Sequence, residues 1–158
     1  MKKIFLIVFL FSITNVIAQD VDSYIELLKS DVKENKKVVI TQVMAFTEAQ
    51  SEVFWPIYRD YEFELDKLSD KRINNIKDFA ANYDSLTDEK ANQLIENAFD
   101  FHEARNDLNK KYYEKFAEAL TPIVAAKYMQ LEYLIQTLID LQINSNLPFA
   151  EKPGESNK

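Results

Sequence analysis

Apolar residues in this chain recur at steps of three and four, the spacing that places them on one side of an α-helix. The first such run covers residues 22–44. Its predicted apolar side comprises Tyr24, Leu27, Leu28, Val32, Val39 and Val43, and its predicted outer side carries Lys33, Lys36 and Lys37. Three further runs begin near residues 47, 87 and 121, so the pattern predicts four helices.

Each of the three later runs begins with a threonine that can cap a helix. Thr47 is followed three residues later by Gln50, the pattern of a capping box. Thr87 precedes two acidic residues, which the positive end of the helix dipole favours. Thr121 precedes Pro122, and proline fits the first helical position because its missing N–H has no intrahelical partner there. These threonines therefore predict where helices two, three and four start.

The composition supports an all-α fold. The chain has 158 residues with one glycine, four prolines and no cysteine, so it has few residues that form tight turns. Disulfides, thiolate metal sites and glycine-rich phosphate loops are excluded. At about 1.5 Å per residue, the second and third helices are each predicted to be roughly 50 Å long. Such helices are too long for one round core, and we expect a long antiparallel hairpin in an elongated, shallow cradle.

The predicted shape leaves apolar surface to be covered. The fourth helix is apolar around most of its circumference, which is typical of a helix buried on more than one side. A homodimer would provide that cover. Pro56 removes a backbone hydrogen bond inside the second helix, so we expect a bend near residues 52–55.

The two ends of the chain differ from the predicted domain. Residues 1–18 combine two lysines, an apolar run and small residues before Gln19, a pattern typical of a secretory signal peptide. Residues 19–143 are predicted to form one helical domain, and residues 144–158 a flexible polar tail. The protein is therefore expected to be exported, periplasmic or secreted, and not inserted in a membrane after the signal is removed.

The three helix starts also carry a resemblance. They read Phe46-Thr47-Glu48-Ala49-Gln50, Leu86-Thr87-Asp88-Glu89-Lys90 and Leu120-Thr121-Pro122-Ile123-Val124, and the first is similar to the LTxxQ motif of the Spy/CpxP family. That resemblance implies a small exported all-α protein that forms an antiparallel, cradle-shaped dimer. It also implies an ATP-independent chaperone or a modulator of envelope stress.

Charge and residue types exclude several functions. The net charge is −7, so binding to nucleic acid is not expected, because neutralising phosphates requires clustered lysine and arginine. We expect no enzyme and no cofactor, because no positioned nucleophile or base is recognisable. His102 is the only histidine. Zinc sites need several nitrogen or sulfur ligands, so no metal site is predicted.

A candidate surface for partners lies on the second and third helices. Trp55 and Phe63 stand at the edge of the apolar stripe or outside it, and Arg59 lies between them in the sequence. Arg72 and Arg105 each lie on an otherwise apolar stripe. Their stems can cover the core while each guanidinium pairs with a carboxylate of a neighbouring helix, which is the interpretation we favour. Alternatively, they form a basic spot inside the cradle.

Three functions remain open from the sequence. The first is an exported, ATP-independent chaperone that binds unfolded or envelope proteins. The second is a regulatory module that modulates an envelope-stress sensor and has one dominant partner. The third is a metal-responsive periplasmic sensor, which would depend on His102.

Overall fold

The computed structural model describes residues 35–151, and in this part of the chain the regular structure is helical. The elements are α1 (residues 35–44), α2 (Glu48–Asn82), a short 3-10 turn (Tyr83–Ser85), α3 (Asp88–Ala119) and α4 (Pro122–Asn144). The all-α prediction with four helices is therefore confirmed at this level. The predicted signal peptide, the start of the first helix and residues 152–158 of the tail lie outside the described residues.

The threonines lie at the helix starts. Thr47 Oγ1 accepts a hydrogen bond from the Gln50 amide at 3.3 Å, and the Gln50 side chain accepts one from the Thr47 amide at 3.1 Å, which completes the capping box. Thr87 and Thr121 each cap the following helix through one such bond of 3.2 Å. Pro56 lies inside α2, which continues as an α-helix to Asn82. The bend at Pro56 stays a prediction.

Helices α2 and α3 form the long antiparallel hairpin. Lys111 contacts Glu64 at 2.7 Å, far from the turn, whereas Lys90 contacts Asp78 at 2.6 Å close to it. Between these pairs, the Asn75 side chain donates to the Leu94 carbonyl at 2.9 Å. As the chain advances along α2, the contacts therefore move back along α3.

The other two helices pack mainly against one end of this hairpin, while Leu147 and Ala150, after α4, line a cavity with Leu94 at the other end. Lys36 of α1 reaches both α2 and α4, and Asp140 of α4 reaches Arg72 and Arg105. We call α1, α2 residues 48–72, α3 residues 105–119 and α4 the bundle end. We call residues 73–104 the hairpin end. Among the described residues, four helices meet at the bundle end and two at the hairpin end.

Aromatic side chains fill the core of the bundle end. Phe54, Tyr61, Phe116 and Tyr128 are fully or almost fully buried. The Phe54 ring stacks on Phe116 at a centroid distance of 5.0 Å and meets Tyr128 edge-on at the same distance. Such ring pairs add to the free energy of burial. This cluster joins α2, α3 and α4 into one core.

Helix α1 is rotated relative to its predicted orientation. Lys36, Ile40 and Met44, spaced by four, face inward and are buried, whereas Val39 and Val43 are 37% and 44% exposed. The prediction that Lys36 lies outside and the two valines inside was wrong. The physical reason is that two carboxylates lie under Lys36, and ion pairing outweighs the hydrophobic pattern at this position.

Candidate binding surface

A layer of buried polar side chains crosses the bundle end. It contains Lys36 of α1, Tyr61 of α2, Asn109 of α3, and Glu132 and Gln136 of α4; we call these five residues the polar layer. Glu132 is fully buried and lies at its centre. Its carboxylate accepts hydrogen bonds from Lys36 at 2.9 Å, Tyr61 at 3.0 Å and Gln136 at 2.8 Å. The layer thus ties all four helices together through hydrogen bonds.

A second carboxylate, that of Glu62, lies beside the polar layer. Lys36 also contacts Glu62 at 2.7 Å. Burial by itself lowers the pKa of Lys36, but the carboxylates of Glu132 and Glu62 outweigh burial and the pKa lies above its ordinary value. Burial raises the pKa of Glu62 despite the nearby Lys36. Burial, and then Glu132, raise the pKa of Tyr61, so its hydroxyl stays a hydrogen-bond donor.

A second group of charged side chains, in addition to those around Lys36, lies where the bundle end meets the hairpin end; we call it the second ionic cluster. Asp140 of α4 accepts hydrogen bonds from Arg72 and from Arg105, the latter at 2.8 Å. Both guanidinium groups also lie about 5 Å from the Phe101 ring, which favours cations. Burial raises the pKa of Asp140, but the two arginines lower it more, and the net pKa is below its ordinary value. The arginines therefore pair with a carboxylate of a neighbouring helix.

The outward side of α4 is apolar and uncovered by other described residues. Ile123, Leu134, Leu138 and Leu141 are 83%, 56%, 56% and 65% exposed. They follow one another at steps of eleven, four and three, so they lie along one side of the helix; we call them the outer stripe. Of the three charged residues of α4, Glu132 is buried and Asp140 is ion-paired, and only Lys127 is exposed. Lys127 and Gln130 lie on the same side between Ile123 and Leu134, so the continuous apolar part of the outer stripe consists of its three leucines.

The predicted surface residues of α2 and α3 lie in three places. Trp55 and Arg59 line a groove of about 540 Å³ beside Lys37 of α1, whose ammonium lies 5.4 Å from the Trp55 ring. Phe63 lies outside this groove and is 62% exposed, with the Lys67 ammonium 4.0 Å from its ring. Trp55 and Arg59 are therefore brought together, whereas Phe63, Arg72 and Arg105 lie elsewhere.

His102 lies on the exposed side of α3 near the second ionic cluster. Its Nδ1 is 3.2 Å from a guanidinium nitrogen of Arg105. Partial burial, and then Arg105, lower the pKa of His102. Among residues 35–151, histidine, aspartate and glutamate side chains form no group of three or more that could hold a metal ion.

In the described part of the chain, none of the helices has the length and apolar character needed to cross a membrane. Comparison with family models, with curated proteins and with solved structures gives no match. The resemblance to the Spy/CpxP family therefore stays a prediction.

Sequence reasoning missed the polar layer. A signal was available for this layer and for the ionic cluster around Asp140, because Glu132 and Asp140 are the acids of α4 and both lie in a mostly apolar sequence. A charged residue in such a setting is normally paired when buried. The pattern could indicate two buried ion pairs, but it could not name Lys36 or Asn109, which lie far away in the chain.

Proposed function

We propose that the protein is an exported, ATP-independent chaperone that holds unfolded segments of other envelope proteins on apolar surface. The observation that carries the proposal is the outer stripe of α4. Four large apolar side chains, each more than half exposed, form one row on a preformed helix. Within this row the three leucines are consecutive, and exposed apolar surface of this kind is typical of sites that bind other proteins.

The setting of the outer stripe suits transient binding. Unfolded chains expose apolar side chains, and packing these against leucine and isoleucine lowers the free energy because apolar surface is removed from water. The rest of the molecule is charged, with a net charge of −7, which keeps a protein with exposed apolar residues soluble. Because the polar layer and Asp140 anchor the inner side of α4, the outer stripe is held rigid. Binding then needs no ordering of α4 itself.

The predicted surface residues of α2 and α3 have different roles in the proposed function. Trp55 and Arg59 line a groove that can take part of a client, and Phe63 adds an exposed ring. Arg72 and Arg105 are held by Asp140, so we assign them to the positioning of α4 rather than to client contact.

A light-scattering assay with a chemically denatured client tests the proposal. The wild-type protein, at up to equimolar ratio, is expected to delay aggregation. Replacing Leu134 and Leu138 by glutamine removes apolar surface from the outer stripe and should abolish most of the delay. The matched control replaces Ile95 and Phe99 of α3, which have the same spacing and are 49% and 64% exposed. If wild-type protein gives no delay, the chaperone function fails; if both variants lose it equally, the outer stripe is the wrong surface.

The proposal also includes a homodimer and an elongated cradle. The long hairpin supports an elongated shape, and exposed apolar side chains outside the outer stripe, such as Val38 and Val53, support association. Light scattering combined with size-exclusion chromatography gives the mass and the hydrodynamic radius. A dimer mass with a large radius is expected, whereas a monomer mass would contradict the dimer.

A further inference from the structure

Helix α1 occupies a groove between α2 and α4 at the bundle end. Three inward side chains of its described part fill that groove: Lys36, Ile40 and Met44 are 5%, 0% and 6% exposed. Ile40 and Met44 belong to the core cluster around Phe54 and Tyr128. The groove thus binds a helix through apolar contacts and through one buried ion pair.

The requirement for charge comes from Glu132. This carboxylate is fully buried, and the Lys36 ammonium is its cationic partner at 2.9 Å. The same ammonium holds Glu62 at 2.7 Å. If α1 left without replacement, two carboxylates would face each other without a cation, and leaving a buried charge uncompensated is strongly unfavourable. The groove therefore accepts a helix that places a lysine at the level of Glu132.

The connection from α1 to α2 is short and strained. Three residues, 45–47, join two helices that run antiparallel. Ala45 has φ of 49°, in the left-handed region that is unfavourable for residues with a Cβ. A short hinge under strain favours the exchange of the attached element between two copies, because opening the hinge relieves the strain.

We propose that in the homodimer each copy places its α1 in the α2–α4 groove of the other copy. The inference rests on the homodimer of the proposed function. A second copy supplies the lysine that the groove requires, together with Ile40 and Met44 at the same spacing. The core contacts of the described part of α1 are then the same as in the monomer, while Ala45 is free to leave the left-handed region. The outer stripe lies on the opposite side of α4 from Glu132 and stays open for clients.

Charge reversal across two chains tests the exchange. Lys36→Glu places three carboxylates at the groove, and Glu132→Lys places two ammonium groups beside Glu62, so each variant alone should melt far below wild type. When the two are unfolded and refolded together, exchange restores one cation and two carboxylates at both grooves. The mixture is expected to form a heterodimer with a melting temperature close to that of wild type. Melting of the mixture as its separate components would overturn the proposal.

Because those variants can fail to fold alone, a second test uses the hinge. Ala45→Gly removes the strain of the closed hinge and should lower the dimer fraction several-fold at fixed protein concentration. Ala81→Gly, at an exposed position within α2, is the control and should leave the fraction unchanged. A wild-type monomer at every concentration, or an equal dimer fraction in Ala45→Gly, would contradict exchange. Neither measurement uses a client, so a failed aggregation assay with intact exchange would reject the chaperone function alone.

Discussion

The bundle end and the hairpin end are built from the same two long helices but are stabilised differently. At the bundle end, aromatic rings and the polar layer connect four helices, and Phe54, Tyr61, Phe116 and Glu132 are almost wholly inaccessible. Within residues 73–104, the hairpin end, the buried apolar side chains are those of Ile76, Leu94 and Phe101. The two ends therefore show that the length of a helix does not determine which part of it contributes most to the free energy of unfolding. We expect most of it at the bundle end, with the hairpin end opening at lower free energy.

The largest predicted effect concerns Glu132. Glu132→Ala removes the acceptor shared by Lys36, Tyr61 and Gln136 and leaves a buried ammonium with Glu62 alone. Lys36 keeps its ion pair with Glu62, so the loss comes from three hydrogen bonds to a charged acceptor, each worth about 1.5 kcal/mol, and we expect a loss of about 4 kcal/mol in the free energy of unfolding. Chemical denaturation measures it. Glu118→Ala, at an exposed position of α3, is the control, and a similar small loss in both variants would contradict the role of the polar layer.

Two leucines of α3 compare the two ends directly. Leu108 at the bundle end and Leu94 at the hairpin end are 6% and 7% exposed, so truncation removes equally buried groups. Leu108→Ala is expected to cost about 3 kcal/mol because the surrounding helices hold the cavity open. Leu94→Ala should cost about half as much, since two helices with few neighbours can close around the gap. Denaturation of both variants measures the difference, and equal losses would mean that the two ends are packed alike.

How far the fold follows from the sequence can be seen at the helix starts. Thr47, Thr87 and Thr121 cap the helices that the sequence predicts from them. A cap bonds to an amide three residues away, so all of its determinants lie in one short segment. The helical spacing of apolar residues is local in the same way. The all-α class and the long hairpin could therefore be predicted without knowledge of tertiary contacts.

The ionic contacts could not be predicted in the same detail. The positions of Arg72 and Arg105 on apolar stripes indicate that each needs a partner, but Asp140 lies 68 and 35 residues away. For Lys36, the local pattern predicts the wrong orientation of the helix, because Val39 and Val43 indicate that a different side faces inward. Which of two similar helix faces turns inward is decided by a carboxylate on another helix. That information is absent from any short segment.

The third prediction concerns Asp140 at the boundary between the two ends. Asp140→Asn leaves Arg72 and Arg105 without an anionic partner and should cost about 2 kcal/mol near neutral pH. Because the pKa of Asp140 is lower in the folded state than its ordinary value of 3.8, its contribution is fully present above that value. The contribution is lost as pH falls through the folded pKa.

Denaturation of wild type and Asp140→Asn across pH 3 to 6 checks this dependence, by the linkage of pKa and stability. The gap in the free energy of unfolding should be constant at the upper end and should narrow below about pH 4. Asp107→Asn, at an exposed position whose carboxylate lies 3.6 Å from the Lys110 ammonium, is the control. If the difference in the free energy of unfolding does not change with pH, the Asp140 carboxylate is not the group that causes the pH dependence.

The smallest effect tests whether the two ends unfold together. Thr87→Ala removes the hydrogen bond that caps α3 at the tip of the hairpin, which is worth about 1 kcal/mol. If the hairpin end unfolds separately, denaturant gives an earlier transition of residues 73–104 and a later one of the bundle end, and Thr87→Ala should shift the earlier transition and speed amide hydrogen exchange there while the later transition hardly moves. Thr121→Ala, which removes the cap of α4 at the bundle end, should shift the later transition instead. A single transition, shifted equally by both variants, would mean that one cooperative unit spans both ends, because the bundle end would then have no unfolding step of its own.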